Sequence, residues 1–201
     1  QEYIRYPSSW ATVNKNVDRL LKQQTPNVLI NISSVVQLYN IFDLHNLISW
    51  YLDKLVDGKR LRNIQLMLNQ LYEPEYLSVE LLNASAREKW FHEVFLPCNS
   101  MLNKVINNIE AYDEDCRWRW RELEETRKRI VGIAKRLHVA YLKKDTGKEI
   151  HAPKLPYEKD IYNNELATQC VAYTEQLDTH RQQKISNIIP NFKEIVNDST
   201  Q

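Results

Sequence analysis

Residues 101–142 read MLNKVINNIEAYDEDCRWRWRELEETRKRIVGIAKRLHVAYL. Steps of seven from Leu102 land on Leu102, Ile109, Cys116, Leu123, Ile130 and Leu137. A second apolar row follows three or four residues away at Val105, Ile106, Tyr112, Trp120, Ile133 and Ala134. This is an a/d heptad pattern, and the residues between its rows are mostly charged or amide. No Pro interrupts it, and Gly132 costs only about 1 kcal/mol in a helix interior. At about 1.5 Å per residue, roughly forty helical residues make a rod of about 60 Å. A globular core rarely asks for a helix of that length, whereas a rod with a partner along it does.

Downstream, Lys143 to Pro156 is the clearest loop, carrying Gly147, Pro153 and Pro156. Tyr157 to Val196 then reads as a second long helix, with Ile161, Leu166, Cys170, Tyr173, Leu177, Ile185, Ile188, Phe192 and Ile195 on its apolar row and a kink at Pro190. Two helices of about forty residues joined by one loop read as a long antiparallel hairpin. Upstream, a short helix through Gln24 starts at Ser8 or Ser9 and ends before Thr25-Pro26. In 27–57 the β-branched residues around Ile30 and Ile32 allow a short strand, but Val35, Leu38, Tyr39, Phe42, Leu47, Ile48, Tyr51, Leu52 and Leu55 keep helical spacing, and helix is preferred, closed by Gly58. Leu61, Ile64, Leu66, Met67, Leu68 and Leu71 repeat that signal, and Tyr76 to Leu96 resumes it. Leu96-Pro97 bends or ends a helix. The fold expected is all-α: an elongated helical bundle with a long, coiled-coil-like antiparallel hairpin. Residues 1–97 read as an N-terminal helical region and 98–201 as the hairpin, with its loop at 143–156.

Composition supports long amphipathic helices. The 201 residues include only 3 Gly and 7 Pro, 43% are hydrophobic, and mean hydropathy is -0.56. Net charge is +1, so no strongly basic nucleic-acid face is forced. Cys98, Cys116 and Cys170 have no CxxC spacing and fit reduced thiols of the cytosol or nucleus. No run of 18 apolar residues suggests a membrane span.

No catalytic constellation emerges. His45, His92, His138, His151 and His180 are scattered without zinc-ligand spacing, and no phosphate-binding glycine loop or nucleophile elbow occurs. Cys98 lacks a base and reads as a small residue at a helix junction. The chain reads as non-enzymatic, with no cofactor and no metal. The unusual pentad Arg117-Trp118-Arg119-Trp120-Arg121 could stack on single-stranded nucleic acid. Six acids within five residues of it (Asp113, Glu114, Asp115, Glu122, Glu124 and Glu125) favour instead indoles packed on a neighbouring helix and arginines paired to carboxylates.

From Ala84 onward the order of features resembles the non-motor crosslinkers of antiparallel microtubules, the protein regulator of cytokinesis of animals and the anaphase spindle elongation protein of fungi. The matching segments are Lys89-Trp90-Phe91-His92-Glu93-Val94, the helix ending at Arg136-Leu137-His138-Val139, the helix opening Leu155-Pro156-Tyr157-Glu158-Lys159-Asp160, and the run Thr179-His180-Arg181-Gln182-Gln183-Lys184-Ile185. Residues 1–83 lie outside the likeness and read as a lineage-specific extension. The resemblance implies the dimerisation and rod portion of a spindle-midzone crosslinker. Its partners would be a second copy of itself, microtubules through a region outside this chain, and a kinesin or mitotic regulator, with no nucleic acid and no membrane. Its place would be the cytoskeleton of cytoplasm or nucleus.

An isologous dimer needs a self-complementary apolar patch. The candidates are Trp90, Phe91, Val94, Phe95, Leu96, Met101, Leu102, Val105 and Ile109, so that Trp90→Ala with Phe91→Ala would leave a folded monomer. The alternatives are a helical adaptor or coiled-coil scaffold, and a curved membrane-binding helical dimer.

Overall fold

A computed structural model describes residues 9–25, 27–58, 60–109, 117–137 and 164–196. Helix dominates, but the centre of the fold is a pair of parallel strands. β1 (Ile30–Val36) lies beside β4 (Ile64–Gln70), in register from Ile30 opposite Ile64 to Val36 opposite Gln70. Parallel neighbours need a crossover. Here it is α2 (Leu44–Leu55), followed by a short ribbon of β2 (Val56–Asp57) against β3 (Arg60–Leu61). Gly58 turns that ribbon with φ +60, a backbone state that favours glycine, so it serves the hairpin turn rather than a helix end.

The strands follow a period of two. Ile64, Leu66 and Leu68 are buried, while Gln65 and Met67 are half-buried and Asn69 is exposed. α2 covers the buried face with Ile48, Tyr51 and Leu55. α1 (Trp10–Gln23) packs beside α2 through Val17 and Leu21. Asn14 Oδ1 accepts from Trp50 Nε1 at 2.8 Å, and Lys54 pairs with Asp18 at 2.6 Å.

Helix runs without a gap from α3 (Ala84–Trp90) through a π-helical segment, Phe91–Phe95, into α4 (Leu96–Asn107). Pro97 has no N–H to give to the residue four before it. The wider π turn, in which Leu96 N–H donates to Phe91 O, carries the chain past it. The boundary expected at Pro97 therefore falls inside continuous helix. One hydrophobic cluster extends from Val17 to Val196. α5 (Arg117–Arg136) packs on both α4 and β4. α6 (Asn164–Arg181) packs on the turn Glu75–Leu77, where Tyr76 meets the Tyr173 ring at 5.1 Å. Nearby, the Tyr39 hydroxyl and Thr174 Oγ1 are hydrogen-bonded at 2.8 Å. The C-terminal α7 (Phe192–Val196) is tied to the start of α3: Asn83 caps that helix, its N–H donates to Ile195 O and its side-chain amide to Glu194 O.

The all-α elongated hairpin is thus overturned. Of the segment expected as helix at 27–57, residues 30–36 are β1, and 64–70, also expected as helix, is β4. The rod at 101–142 is broken: α4 stops at Asn107 with a turn at Asn108; residues 110–116 and 138–142 lie outside the described residues, and α5 is described from Arg117 to Arg136. Asn108 makes the stop, bonding back from its side chain to Lys104 O at 2.7 Å and from its N–H to Val105 O. The second long helix ends at Arg181, well before Pro190. Gln182 adopts φ 52, and the Asp178 carboxylate accepts from Ile185 N–H at 3.1 Å, which closes the helix end. Pro190 lies in the turn before α7. The loop at 143–156 and the segment Leu155–Asp160 lie outside the described residues.

Trp90 carries much of this core. It is wholly buried, and its indole N–H donates to Ile41 O at 3.0 Å. Trp90→Ala should therefore cost about 3–5 kcal/mol, and Trp90→Ala with Phe91→Ala should unfold the protein rather than yield a folded monomer. Denaturant unfolding checks this; a stable, cooperative double variant would contradict it.

Candidate functional site: the outer edge of β1

A strand has two hydrogen-bonding edges. Ile30 N–H donates to Asn63 O at 2.9 Å, and Leu71 N–H to Val36 O at 3.0 Å. With the register these fix the rest: even residues of β1 and odd residues of β4 bond to each other. The even residues of β4 and the odd residues of β1 direct their N–H and C=O groups outward.

The outer edge of β4 is covered by side chains. Arg119 donates to Arg62 O, Thr126 Oγ1 to Leu66 O at 3.2 Å, and Arg129 Nη1 to Leu68 O at 2.9 Å, all from α5. The Tyr51 hydroxyl of α2 approaches Ile64 O at 3.4 Å. α5 thus stands where a third strand would, and its side chains satisfy carbonyls that a strand would otherwise bond.

Among the described residues, no strand pairs with the outer edge of β1. Val35 O accepts from Asn40 Nδ2 at 2.8 Å. Among the described residues nothing bonds the backbone of Asn31 or Ser33 on this edge, and both residues are exposed. Val28, Leu29 and Val35 are 49%, 40% and 37% exposed along it. A cleft of about 340 Å³ adjoins, lined by Trp10, Ser34, Asn40, Leu44, Leu47 and Trp50, with Asp43 and Asn46 at its rim. It receives Ser34 from the buried face of β1 and Asn40 from the edge, so it opens where the edge meets that face. The Trp10 and Trp50 rings form one wall, edge to face at 5.0 Å. Such an arrangement can hold an extended chain: the strand edge offers backbone bonds, and the cleft takes alternate side chains.

The residues picked from the sequence lie elsewhere. Trp90, Val94, Phe95, Leu102, Val105 and Ile109 are buried inside the single chain; Phe91 and Met101 are half-buried, and Leu96 is exposed. They fill a core around α3 and α4 rather than offer an apolar surface. In the pentad, Trp118 and Trp120 stay largely exposed instead of packing on a neighbouring helix. The Arg119 guanidinium stacks on Trp118 at 4.2 Å. The nearby acids pair further along: Glu124 with Arg127 at 2.8 Å and Glu125 with Lys128 at 2.7 Å. Cys98 and Cys170 are fully buried, and burial pushes each thiol up to about 12. Among the described residues, no three His, Cys, Asp or Glu side chains come together, and no helix is long and apolar enough to cross a membrane. Sequence reasoning missed the β1 edge because helix was preferred there. The signal available was the uncharged, β-branched run VLINISSVV at 28–36. Comparison with family models, curated proteins and solved structures finds no match for the chain.

Two consequences of the covered edge are measurable. Thr126→Val keeps the side-chain shape and removes the single hydroxyl hydrogen shared between Leu66 O at 3.2 Å and Glu122 O at 3.1 Å, so stability should fall by about 1–3 kcal/mol in denaturant unfolding; an unchanged midpoint would contradict the role of Thr126. Glu122, also on α5, is half-buried, and burial raises its carboxyl to about 7 against the pull of Arg119. The folded state therefore favours the neutral acid. Stability falls as pH rises from the ordinary carboxylate pKa of about 4.3 through 7, and the loss is complete above that. Glu122→Gln should melt higher than the parent protein at pH 8 and show little difference at pH 4. An equal difference at both pH values would contradict this.

Proposed function

We propose that the chain is a non-enzymatic interaction module, an adaptor or scaffold that docks an extended peptide strand on the outer edge of β1. The observation that carries this is the contrast between the two sheet edges. β4 is screened by Arg119, Thr126, Arg129 and Tyr51, whereas among the described residues nothing bonds the outward backbone groups of Asn31 and Ser33 on β1, beside a tryptophan-walled cleft. Proteins ordinarily blunt an exposed edge with charge, Pro or a covering loop. Residues 28–36 contain no charge, no Pro and no Gly. The adaptor reading needs only one such surface. The likeness to microtubule crosslinkers drew its spacing from a continuous rod and a long hairpin, and the fold lends it no support.

Pro at position 31 provides the test. Asn31 directs its N–H outward, so Asn31→Pro removes an edge donor and obstructs an added strand without touching a bond to β4. Nine-residue unstructured peptides selected from a random library on the parent protein should bind Asn31→Pro at least tenfold more weakly, while its circular dichroism stays unchanged. Selected peptides that bind both proteins equally would contradict the reading.

A further inference from the structure

The edge of β1 has a symmetry that names an occupant. Read outward from Ile32, the stretch Val28-Leu29-Ile30-Asn31-Ile32-Ser33-Ser34-Val35-Val36 has polar residues one step away on each side, at Asn31 and Ser33. It has apolar residues three and four steps away on each side, at Leu29 and Val35 and at Val28 and Val36. The second step alone differs, Ile30 on one side and Ser34 on the other; at the remaining steps the strand is complementary to its own reverse. We propose, resting on the docking reading above, that the strand that occupies this edge is β1 of a second copy, paired antiparallel across a two-fold axis at Ile32. The two sheets then join into one of four strands in the order β4-β1-β1-β4.

The register follows from which groups point outward. Only odd residues of β1 direct their edge groups outward, and of these Val35 O also accepts from Asn40, so the hydrogen-bonded pairs across the axis must join odd to odd. Centring on Ile32 does this: Asn31 meets Ser33 of the second copy, and Leu29 meets Val35. On the exposed face the polar pair sits nearest the axis, and Leu29 with Val35, 40% and 37% exposed in one chain, cover each other. On the other face Ile32 meets its own copy. Ile30 of the second copy comes opposite Ser34, a small side chain that lines the tryptophan-walled cleft and leaves room there. Centring on Ser33 instead would set Asn31 against Val35 and Leu29 against Gln37, which leaves both apolar residues with polar neighbours. A hetero-partner chosen by charge would have no charged residue within 28–36 to read. A second copy needs none, and a two-fold pairing closes on itself, so the edge ends in a dimer and not in a fibre.

Four variants and one mass measurement decide it. The parent protein should sediment at twice 23.9 kDa, with dissociation on dilution. Asn31→Pro and Ser33→Lys should both sediment as monomers with parental circular dichroism. Facing residues of a non-hydrogen-bonded antiparallel pair are about 4.5 Å apart at Cα, within disulfide reach. Ile32→Cys should therefore give a covalent dimer under mild oxidation, and Lys128→Cys on α5 should not. A parent protein monomeric at every concentration overturns this inference. It leaves the docking reading standing if library peptides still lose affinity on Asn31→Pro. A dimer that survives Asn31→Pro and Ser33→Lys, or that Ile32→Cys does not cross-link, uses another surface and overturns it equally.

Discussion

The rest of the fold depends on how a two-stranded parallel sheet satisfies its edges. Two strands alone leave two rows of backbone groups with no strand to bond. In this protein one row is answered from a helix. Thr126 and Arg129 on one side of α5 reach the outward carbonyls of Leu66 and Leu68 in β4, and Arg119 reaches Arg62 O just before the strand. That requirement fixes α5 along the strand, and the rest of its apolar side is then free to face α4. Leu123, Ile130, Ile133, Ala134 and Leu137 are all buried as a result. At the far end of the helix, Arg136 pairs with Glu80 at 2.5 Å and donates to Gln70 Oε1 at 3.1 Å, while buried Arg87 donates to Leu82 O and Glu80 O. These contacts anchor the segment that leads into α3.

The other row is answered by nothing within the described chain except Asn40 at Val35. The functional reading rests on this inequality. One edge of the sheet is screened by four side chains, while the other carries no charge and three exposed aliphatic residues, and the proposed docking rests on that contrast. The tryptophan-walled cleft adds what a bare edge lacks, a place for a side chain that selects which strand binds. The self-reversing pattern about Ile32 then narrows the choice of strand to one the protein already carries.

The sequence held more of this than a helix count suggests. The short helix before Gln24 was legible from Val13, Val17, Leu20 and Leu21, and its buried residues are Val17 and Leu21. The heptad row from Leu102 to Leu137 named the right inward faces: Leu102, Ile109, Leu123, Ile130 and Leu137 are all buried. Periodicity reports which side of a helix is apolar, but not whether two helices are collinear or folded against each other. The stop at Asn108 depends on a side chain that bonds its own helix end, and the stop at Gln182 on a left-handed glutamine, a residue that rarely takes that role. Ile64 to Gln70 misled for another reason. Leu, Met and Gln are good helix formers, and a strand of seven residues holds too few periods for alternation to outweigh that preference. Tertiary burial on α2 decided the matter. The wide apolar surface around Trp90 needs several neighbours, and α2, α4, α5 and the Ile41 turn supply them within one chain.

Amide hydrogen exchange along residues 29–36 tests the central claim most directly. In dilute solution the N–H groups of Ile32, Ser34 and Val36 should be protected by β4, while those of Asn31 and Ser33 exchange rapidly. At concentrations where the second copy binds, the Asn31 and Ser33 amides should become protected and the even ones stay as they were. Uniform protection at both concentrations would mean a helix or an already covered edge. Odd amides that stay fast whatever the concentration would mean that no strand of a second copy docks there.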